Sequence, residues 1–494
     1  MEQLSGLDNS FLIIEAGGQL GHIASFSRFD VSTLGDRSFF DSLRSTIEQR
    51  LHLLPPYRRK LVEVPLGLDR PYWIEDPDFD LDFHLRHIAV PPPGNEQQIG
   101  ELISRLHARP LDRSRPLWEI YVIDGLEDNQ VGLYSKVHHA TIDGVSGSQM
   151  MEKLLDHDPA GDVIELPKQA WVPESDPGSV EMLLRGAAGA AVQPGRMVRT
   201  VYRTVRGVWE SNELLGSVAR SAGLDRIPLA RSILKRRGAE VDADRIPQAP
   251  APRTPWNRSI TPHRRFAYFS HSLGDYKKIK NAFGTTLNDV VMAVTGSALR
   301  RYLELHGELP VDPLKAMVPV SVRTESQKNE YTNRVTSIIA ELATDEKDPV
   351  DRLRRIHVAM QQAKRMQQAT PATLMTDWTE IAMPALLAQA ARIAHRTKIL
   401  DRLNPPFNAI ISNVPGPRES LYLGGAEMLS YHPVSAITDG QGLNVTVVSY
   451  RGHLDFGLIA CRELVPDLWN LEAAFEESVT ELLRAADQME QGAS

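Results

Sequence analysis

Two adjacent histidines, followed by an aspartate and a glycine, are the residues of this chain best suited to do chemistry. His138 and His139 come directly after residues 131–137, a β-branched and aromatic run that predicts a strand, and Asp143 and Gly144 follow in the next loop. Imidazole titrates near neutral pH, so a histidine at a strand end can act as a general base whose tautomer a nearby carboxylate fixes. Because adjacent strand residues point to opposite faces, only one of the two histidines can face a given cleft.

Taken alone, this group of residues has two other interpretations. A surface turn with two solvated histidines is favoured by roughly two to one for an isolated His-His-x-x-x-Asp-Gly pattern. A zinc site is a weaker alternative, because vicinal histidines rarely chelate one metal well and no cysteine cluster or His-Glu-x-x-His pattern lies nearby. The rest of the chain must decide between these interpretations.

The elements before the histidines predict how they are positioned. Residues 97–107 predict a short helix with one apolar face, and Leu117 to Ile123 predict a strand. A loop rich in turn formers joins that strand to 131–137, so we expect an antiparallel hairpin whose second strand delivers His139 to a domain edge. Trp118 is better explained as a core residue than as a cleft wall.

Length and composition restrict the class of protein. A chain of 494 residues exceeds what one hydrophobic core usually supports, so we expect two domains. The formal net charge of -8 argues against a general nucleic-acid binder, which needs a cationic face. A single cysteine, Cys461, excludes an internal disulfide framework and fits a reducing cytosol.

The chain shows no sign of secretion or of a membrane span. Its N-terminus lacks the basic start and apolar core of a signal peptide. No apolar run reaches the roughly 18–20 residues needed to cross a bilayer. We therefore expect a cytoplasmic protein that can touch membranes but does not cross them.

Proline content divides the chain into three parts. We predict an N-terminal domain over 1–165, a proline-rich connection with amphipathic helices over 166–255, and a C-terminal domain over 256–494. Within the connection, valines and a tryptophan follow one helical face and four arginines follow the other. This arginine stripe consists of Arg196, Arg199, Arg203 and Arg206. A helix packed on its own protein and a helix on a membrane surface explain it about equally well.

In the second half, a helix start contains a candidate oxyanion donor. Thr286 or Asn288 could cap the long helix that begins there. As a cap, Asn288 would be structural, whereas its amide at a domain interface could donate to an oxyanion. Further on, residues 407–413 predict a buried strand, and a hairpin is predicted around Arg451 and Gly452. For Asn413, turn capping is favoured over a place in an acceptor channel.

Several motifs, in order along nearly the whole chain, resemble the bacterial wax ester synthase/diacylglycerol acyltransferase family of the coenzyme A-dependent acyltransferase superfamily. The motif around His138 is one of them. The others are Leu7–Leu12, Asp76–Asp80 with His84, Pro110–Arg113, Pro116–Glu119, Leu287–Val291, Val318–Arg323 and Asn413–Pro417. One departure is Thr332 before Asn333 and Arg334, where the family commonly carries glycine.

The resemblance implies a fold and a reaction. The expected fold is α/β, with two chloramphenicol-acetyltransferase-like domains, each a mixed sheet covered by helices, and an active-site tunnel between them. The expected reaction transfers a fatty acyl group from acyl-coenzyme A to diacylglycerol, with a long-chain alcohol as second acceptor. Acyl-coenzyme A is then a substrate, and neither a cofactor nor a metal is expected. There are two alternatives. The protein could be an acyltransferase for another complex lipid alcohol, or a non-catalytic lipid-droplet or lipid-binding protein of the same fold.

The resemblance also implies roles for individual residues. His139 would be the general base and His138 would support the site. Asp143 would orient its loop through an arginine, and Gly144 would let the backbone turn. Asn288 would serve as oxyanion donor and Asp289 as a structural partner. This intact set favours an enzyme over a pure lipid binder.

Overall fold

The computed structural model describes most of the chain. The described residues are 1–15, 18–142, 144–165, 171–189, 191, 250–321, 335–369 and 384–492. Asp143, the arginine stripe and the segment around Thr332 lie outside the described residues, so the predictions for them stay predictions.

Helices and strands alternate along the described parts of the chain. The helices are α1 (Gly6–Ile13), α2 (Phe39–Arg50), α3 (Leu81–His84), α4 (Glu96–His107), α5 (Gly144–Leu154), α6 (Leu273–Phe283), α7 (Leu287–Leu305), α8 (Pro349–Ala369), α9 (Pro384–Thr397) and α10 (Asn470–Gly492). The strands are β1 (Glu2–Gln3), β2 (His22–Asp30), β3 (Arg59–Val62), β4 (Tyr72–Glu75), β5 (Leu85–Ala89), β6 (Trp118–Asp124), β7 (Gln130–His138), β8 (Arg264–Ser272), β9 (Lys315–Ser321), β10 (Val335–Glu341), β11 (Ala409–Pro415), β12 (Tyr422–Leu423), β13 (Ala426–Val434), β14 (Leu443–Tyr450) and β15 (His453–Cys461). Residues 179–189 are also helical.

The first large sheet places the histidine motif at the end of an inner strand. Its order is β12-β13-β2-β7-β6-β5, and β1, β4 and β3 form a small separate sheet. Strand β7 is antiparallel to β2 on one side and to β6 on the other. The predicted β6–β7 hairpin is therefore confirmed. Trp118 is 1% exposed, as its interpretation as a core residue predicted.

The second large sheet has the order β10-β9-β11-β14-β15-β8, with β11 parallel to both of its neighbours. Its β14–β15 hairpin turns at Arg451 and Gly452, which have φ of 45° and 81°. Two successive positive φ angles are typical of the two-residue turns that match strand twist, and this hairpin prediction is confirmed. Asn413 lies inside β11 opposite Val447, so its interpretation as a turn cap is wrong.

Two strands of the C-terminal half, β12 and β13, belong to the N-terminal sheet. Strand β13 pairs with β2 in antiparallel register, with Val434 opposite Ala24. The predicted C-terminal part, 256–494, therefore contains residues that complete the first sheet. The alternation of side chains identifies a strand but not its pairing partner. Domain boundaries drawn along the sequence therefore could not show that a C-terminal strand pairs with β2.

Candidate active site

His139 lies in the turn directly after β7 and is half-buried. Its backbone N–H donates to the carbonyl oxygen of Gly21 over 2.8 Å. Its imidazole stacks on the ring of Phe11 in α1, with ring centroids 4.0 Å apart and planes inclined by 6°. Because both ring nitrogens lie in the ring plane, this stack fixes the directions in which the imidazole can exchange a proton.

His138 has a different environment from His139. It is 1% exposed, and its Nδ1 accepts a hydrogen bond of 3.0 Å from the backbone N–H of Ala140. Its Nε2 lies 3.1 Å from Oε1 of Glu15, so the neutral ring carries its proton on Nε2 and donates it to that carboxylate. Protein groups thus occupy both nitrogens of His138. The two histidines have different surroundings, but β7 ends at His138 and His139 lies in the following turn, so the alternation of strand side chains does not explain the difference.

Glu15 collects three hydrogen bonds around His138. Besides His138, the backbone N–H of Gly21 donates to Oε1 over 2.8 Å, and the Arg113 guanidinium donates to Oε2 over 2.7 Å. Burial alone would raise the pKa of Glu15, but the bonds from His138 and Arg113 and the Gly21 amide outweigh it and lower the pKa to about 2. Glu15 is therefore an ionised anchor beneath the motif.

The loop before β2 passes very close to both histidines. A Cβ atom at Gly21 would lie 2.4 Å from the carbonyl oxygen of Phe11 and 2.9 Å from Nε2 of His138, so no side chain fits there. Gly21 therefore lets its own N–H reach Glu15 and its carbonyl oxygen reach His139. The backbone of this loop holds the two histidines in place.

Residues of the second half hold the same loop. Gln19 exchanges two hydrogen bonds with Asp439, of 3.2 Å and 3.1 Å, and the guanidinium of Arg264 donates to the carbonyl oxygen of Gly18 over 2.6 Å. Burial lowers the pKa of Arg264 to about 10, which leaves it cationic at neutral pH. The position of the histidine motif thus depends on contacts from both halves of the chain.

Buried polar groups lie behind the motif strand. Nε2 of His22 is 2.6 Å from the His107 carbonyl oxygen, and Nδ1 of His107 is 2.8 Å from the Tyr134 hydroxyl. Burial holds the pKa of both histidines well below the ordinary range, so both are neutral. Lys136, fully buried, places its Nζ 3.2 Å from Glu119. These groups are internal supports with protein partners.

The hydrogen bonds at the start of α7 show which residue caps this helix. The Thr286 hydroxyl accepts from the N–H of Asp289 over 3.3 Å, and the Asp289 carboxylate accepts from the N–H of Thr286 over 2.9 Å. This capping box assigns the cap to Thr286. The alternative that Asn288 caps α7 is wrong. Asn288 is half-buried at the second position of the helix, and its oxyanion role stays a prediction.

Asp289 has the contacts of a structural partner. It is 1% exposed, and its Oδ2 lies 2.7 Å from Nδ1 of His357 in α8. Nε2 of His357 in turn lies 2.8 Å from the amide nitrogen of Gln361. Because the carboxylate can only accept and the amide nitrogen can only donate, Nδ1 of His357 carries the proton. Asp289 thereby ties the start of α7 to α8.

His84, from the motif after Asp76–Asp80, is a packed residue. Its ring stacks on Trp118 with centroids 4.3 Å apart, and its Nδ1 lies 2.8 Å from the Trp118 carbonyl oxygen. Burial lowers the pKa of His84 to about 4, against the opposing effect of that carbonyl. His84 is therefore neutral at physiological pH and supports the core of the first sheet.

The described residues offer few other sites for chemistry. Within them, no group of three or more histidine, cysteine or acidic side chains could hold a metal ion. Two surface cavities lie away from the motif: one of about 380 Å³ includes Arg354 and Arg355, and one of about 430 Å³ includes Arg418 and Tyr422. The tunnel between the domains stays a prediction.

Glu15 and Gly21 are the site residues that the sequence reasoning missed. Glu15 lies three residues beyond the segment Leu7–Leu12, and Gly21 precedes a strand, so neither is near the histidines in sequence. A weak signal existed in β7, where Tyr134, Lys136 and His138 place polar groups on one face of a buried strand. Such a face needs polar partners from elsewhere.

Comparison with known proteins places the chain in a family. The sequence profile of the wax ester synthase/diacylglycerol acyltransferase catalytic domain matches residues 4–291, and the C-terminal domain of the same proteins matches residues 331–483. A Mycobacterium tuberculosis protein assigned as a diacylglycerol O-acyltransferase is 34% identical over 100% of this chain and 92% of its own length. The O-acyltransferase WSD of Acinetobacter baylyi is 34% identical over 97% of this chain and 96% of its own.

A solved structure agrees with the sequence comparison. The wax ester synthase/diacylglycerol acyltransferase of Marinobacter aquaeolei superposes with a TM-score of 0.68 and 29% identity, covering 99% of this chain and 100% of that one. Two helix-covered mixed sheets, with a histidine motif at the end of an inner strand, define a two-domain acyltransferase of the chloramphenicol-acetyltransferase-like fold. Within that class, this chain belongs to the wax ester synthase/diacylglycerol acyltransferase family. The predicted family and fold are confirmed.

Proposed function

We propose that this chain transfers a fatty acyl group from acyl-coenzyme A to the hydroxyl of diacylglycerol and so makes triacylglycerol. A long-chain alcohol would be a second acceptor and would give a wax ester. The family and the names of the relatives support this class of reaction. The observation that carries the proposal is the placement of His139: a half-buried imidazole in the turn directly after β7, whose ring plane is fixed by the stack on Phe11.

In this mechanism, His139 is the general base. Its neutral imidazole takes the proton of the acceptor hydroxyl as that oxygen attacks the thioester carbonyl, and a tetrahedral oxyanion forms. The carbon–sulfur bond then breaks, the imidazolium returns the proton to the departing thiolate, and the ester and free coenzyme A are released. An alcohol is a poor nucleophile at neutral pH, so this proton transfer would contribute about 10²–10⁴ in rate.

Other motif residues would assist this step. The Asn288 side-chain amide would donate to the oxyanion, where one such donor contributes about 10²–10³ in turnover. Asp143 would orient the loop after His139, and Gly144 begins α5 directly after it. His138 and Glu15 would hold the turn that carries His139. No enzyme nucleophile is needed because the thioester is already activated, and neither a cofactor nor a metal takes part.

The substrates partition into membranes, so the protein would work at a lipid surface. No helix in the described ranges is long and apolar enough to span a bilayer. We propose peripheral contact with the inner membrane face or with lipid droplets, to which the arginine stripe would contribute. Reversal of its four charges leaves the valines of that segment unchanged in sequence.

Acyl transfer from coenzyme A can be tested directly. The purified full-length chain is incubated with radiolabelled palmitoyl-coenzyme A and either dioleoylglycerol, hexadecanol or a short water-soluble alcohol, and lipids are separated by thin-layer chromatography. We expect labelled triacylglycerol to exceed labelled wax ester, with one free thiol released per ester. Labelled ester from none of the three acceptors, with stoichiometric retention of label on the protein, would instead indicate the lipid-binding alternative.

A matched pair of variants ties the activity to the site. His139→Ala should abolish ester formation from every acceptor. His453→Ala removes an exposed histidine at the start of β15, far along the chain from the motif, and should leave the rate unchanged. Equal activity in the two variants would refute the assignment of His139 as the base.

A further inference from the structure

Large apolar side chains are exposed on three neighbouring segments of the structure. The segments are the turn 65–67, the helical residues 179–189, and α9 together with residues 399–403, which form a short helix and its C-cap. We call this surface the apolar face. Its exposed members, with their exposed fractions, are Leu66 at 81%, Val180 at 73%, Leu183 at 42%, Leu184 at 66%, Ile393 at 53%, Ile399 at 48%, Leu400 at 38% and Leu403 at 56%.

The three segments lie side by side. A Cβ atom at Gly186 would lie 2.5 Å from Cγ1 of Val64, and one at Gly189 would lie 1.9 Å from the Asp69 carboxylate, so the helical residues pack directly on the chain around the turn. The turn 65–67 in turn contacts α9, and α9 contacts α1. The apolar face therefore borders α1, the helix whose Phe11 stacks on His139.

Leu66 has a strained backbone conformation that burial of its side chain does not offset. Its φ and ψ are 60° and 9°, in the left-handed region, where a bulky side chain is unusual. The side chain is 81% exposed, so burial within the chain does not offset this strain. Strained backbone residues cluster at functional sites, including sites that hold a ligand, so Leu66 is a candidate contact residue.

The last segment is rigidly attached, although its apolar side chains face outward. Nδ1 of His395 lies 2.7 Å from Oδ2 of Asp439, and Oδ1 of Asp401 accepts from the N–H and the hydroxyl of Ser259 over 2.6 Å and 2.7 Å. The Arg253 guanidinium also donates to the Leu403 carbonyl oxygen over 2.9 Å. These contacts fix the backbone while leaving the leucines and isoleucines in solvent.

Cations accompany the apolar residues in this segment. The exposed cations within 392–402 are Arg392, Arg396, Lys398 and Arg402. The single acidic residue within 392–402 is Asp401, whose carboxylate accepts two hydrogen bonds from Ser259. A local excess of positive charge on a chain of net charge -8 is complementary to anionic phospholipid headgroups. Exposed leucine and isoleucine with arginine and lysine around them is the composition of interfacial membrane-binding segments.

We propose that the apolar face is the surface by which this protein docks on an anionic phospholipid layer, next to the site where the acceptor lipid reacts. The leucines and isoleucines would enter the acyl boundary, and the four cations would lie at the headgroups. This inference rests on the proposed function, because a lipid acceptor must pass from that layer to His139. It places docking on α9 and the turn 65–67 and is independent of the arginine stripe.

The test removes the apolar face without touching the catalytic motif. One variant combines Leu66→Asn, Ile393→Ser, Ile399→Ser and Leu403→Ser; asparagine tolerates the left-handed backbone at position 66. A control variant, Leu305→Ser with Val311→Ser, removes two other exposed apolar side chains, 73% and 93% exposed, at the last residue of α7 and in the connection that follows it. Both are sedimented with phosphatidylcholine vesicles containing or lacking phosphatidylglycerol.

We expect the apolar-face variant to bind anionic vesicles about 100-fold more weakly than the wild type, and the control to bind unchanged. Replacing Arg392, Arg396 and Arg402 with glutamine should weaken the preference for anionic over neutral vesicles. Unchanged sedimentation of both variants would overturn the proposal. A shift of the apolar-face variant to a smaller species in size-exclusion chromatography would assign the face to a second copy of the chain and overturn it as well.

Failure of docking and failure of the reaction are distinguishable. With a short water-soluble alcohol, the apolar-face variant should keep the wild-type rate, whereas with diacylglycerol in vesicles it should fall about as far as vesicle binding does. If the wild type sediments with vesicles but esterifies no alcohol, the proposed function fails while the docking surface stands. The single variant Leu66→Asn should weaken binding and, because it relieves backbone strain, should not lower the melting temperature.

Discussion

Replacement of Glu15 by glutamine is the sharpest test of how the histidine pair is held. Glutamine keeps the shape of the side chain, and its oxygen can still accept from His138 and from the Gly21 amide. Its NH₂ group, however, faces the Arg113 guanidinium, which also only donates. The substitution therefore removes the charge and one hydrogen bond, and it keeps the acceptor that fixes the His138 tautomer.

The magnitude follows from the pKa of Glu15. The side chain is 13% exposed, so solvent screens its interactions little. The pKa falls from 4.5 to about 2 on folding, because the bonds from His138, Arg113 and Gly21 outweigh burial. A depressed carboxyl pKa adds stability that is present above the unfolded pKa and is lost as pH falls toward the folded one. At pH 7 this contribution is about 3 kcal/mol, and at pH 3 roughly 1 kcal/mol remains.

The assay is urea unfolding of the wild type and of Glu15→Gln between pH 3 and pH 7. Because glutamine resembles the protonated carboxyl group, the stability difference between the two proteins should be about 3 kcal/mol at pH 7 and shrink toward pH 3. A pH-independent difference would refute the reasoning. Glu463 provides a comparison: burial would raise its pKa, but hydrogen bonds from Thr261 and His263 outweigh burial and lower the pKa to about 2. Because its side chain is 39% exposed, solvent screens these interactions, and Glu463→Gln should lower the free energy of unfolding clearly less than Glu15→Gln does.

Four further results are expected. His139→Ala should remove nearly all transferase activity while His138→Ala retains a measurable fraction; equal losses in two folded proteins would withdraw the assignment of the base. Asn288→Ala should lower turnover by about 10²–10³ with little change in acyl-coenzyme A binding, and a normal rate would leave Asn288 without a catalytic role. Thr286→Ala should cost about 1 kcal/mol of stability with turnover unchanged, because Thr286 caps α7; chemical denaturation and a rate assay check both. The quadruple Arg→Glu variant of the arginine stripe should bind anionic liposomes less while keeping its rate on a water-soluble alcohol, and wild-type binding would mark the stripe as a solvated face.

Local patterns in the sequence were sufficient for individual elements. The helical spacing of apolar residues within 97–107 predicted α4 (Glu96–His107), and the strand pattern before His138 predicted β7. Both patterns depend only on side-chain spacing along one segment, which a helix or strand keeps in any fold. The ambiguity at Thr286 and Asn288 was also local, but both residue types cap helices, so only the observed hydrogen bonds could separate them.

The sequence by itself determined the chemistry available at the motif, which is two neighbouring histidines at the end of a strand. Tertiary structure decided which groups hold each of them. Glu15 lies 123 residues before His138, and β13 joins a strand from the other end of the chain. Such partners meet only when packed elements bring distant segments together. A buried imidazole or carboxylate must then find its hydrogen bonds among whatever neighbours the packing supplies.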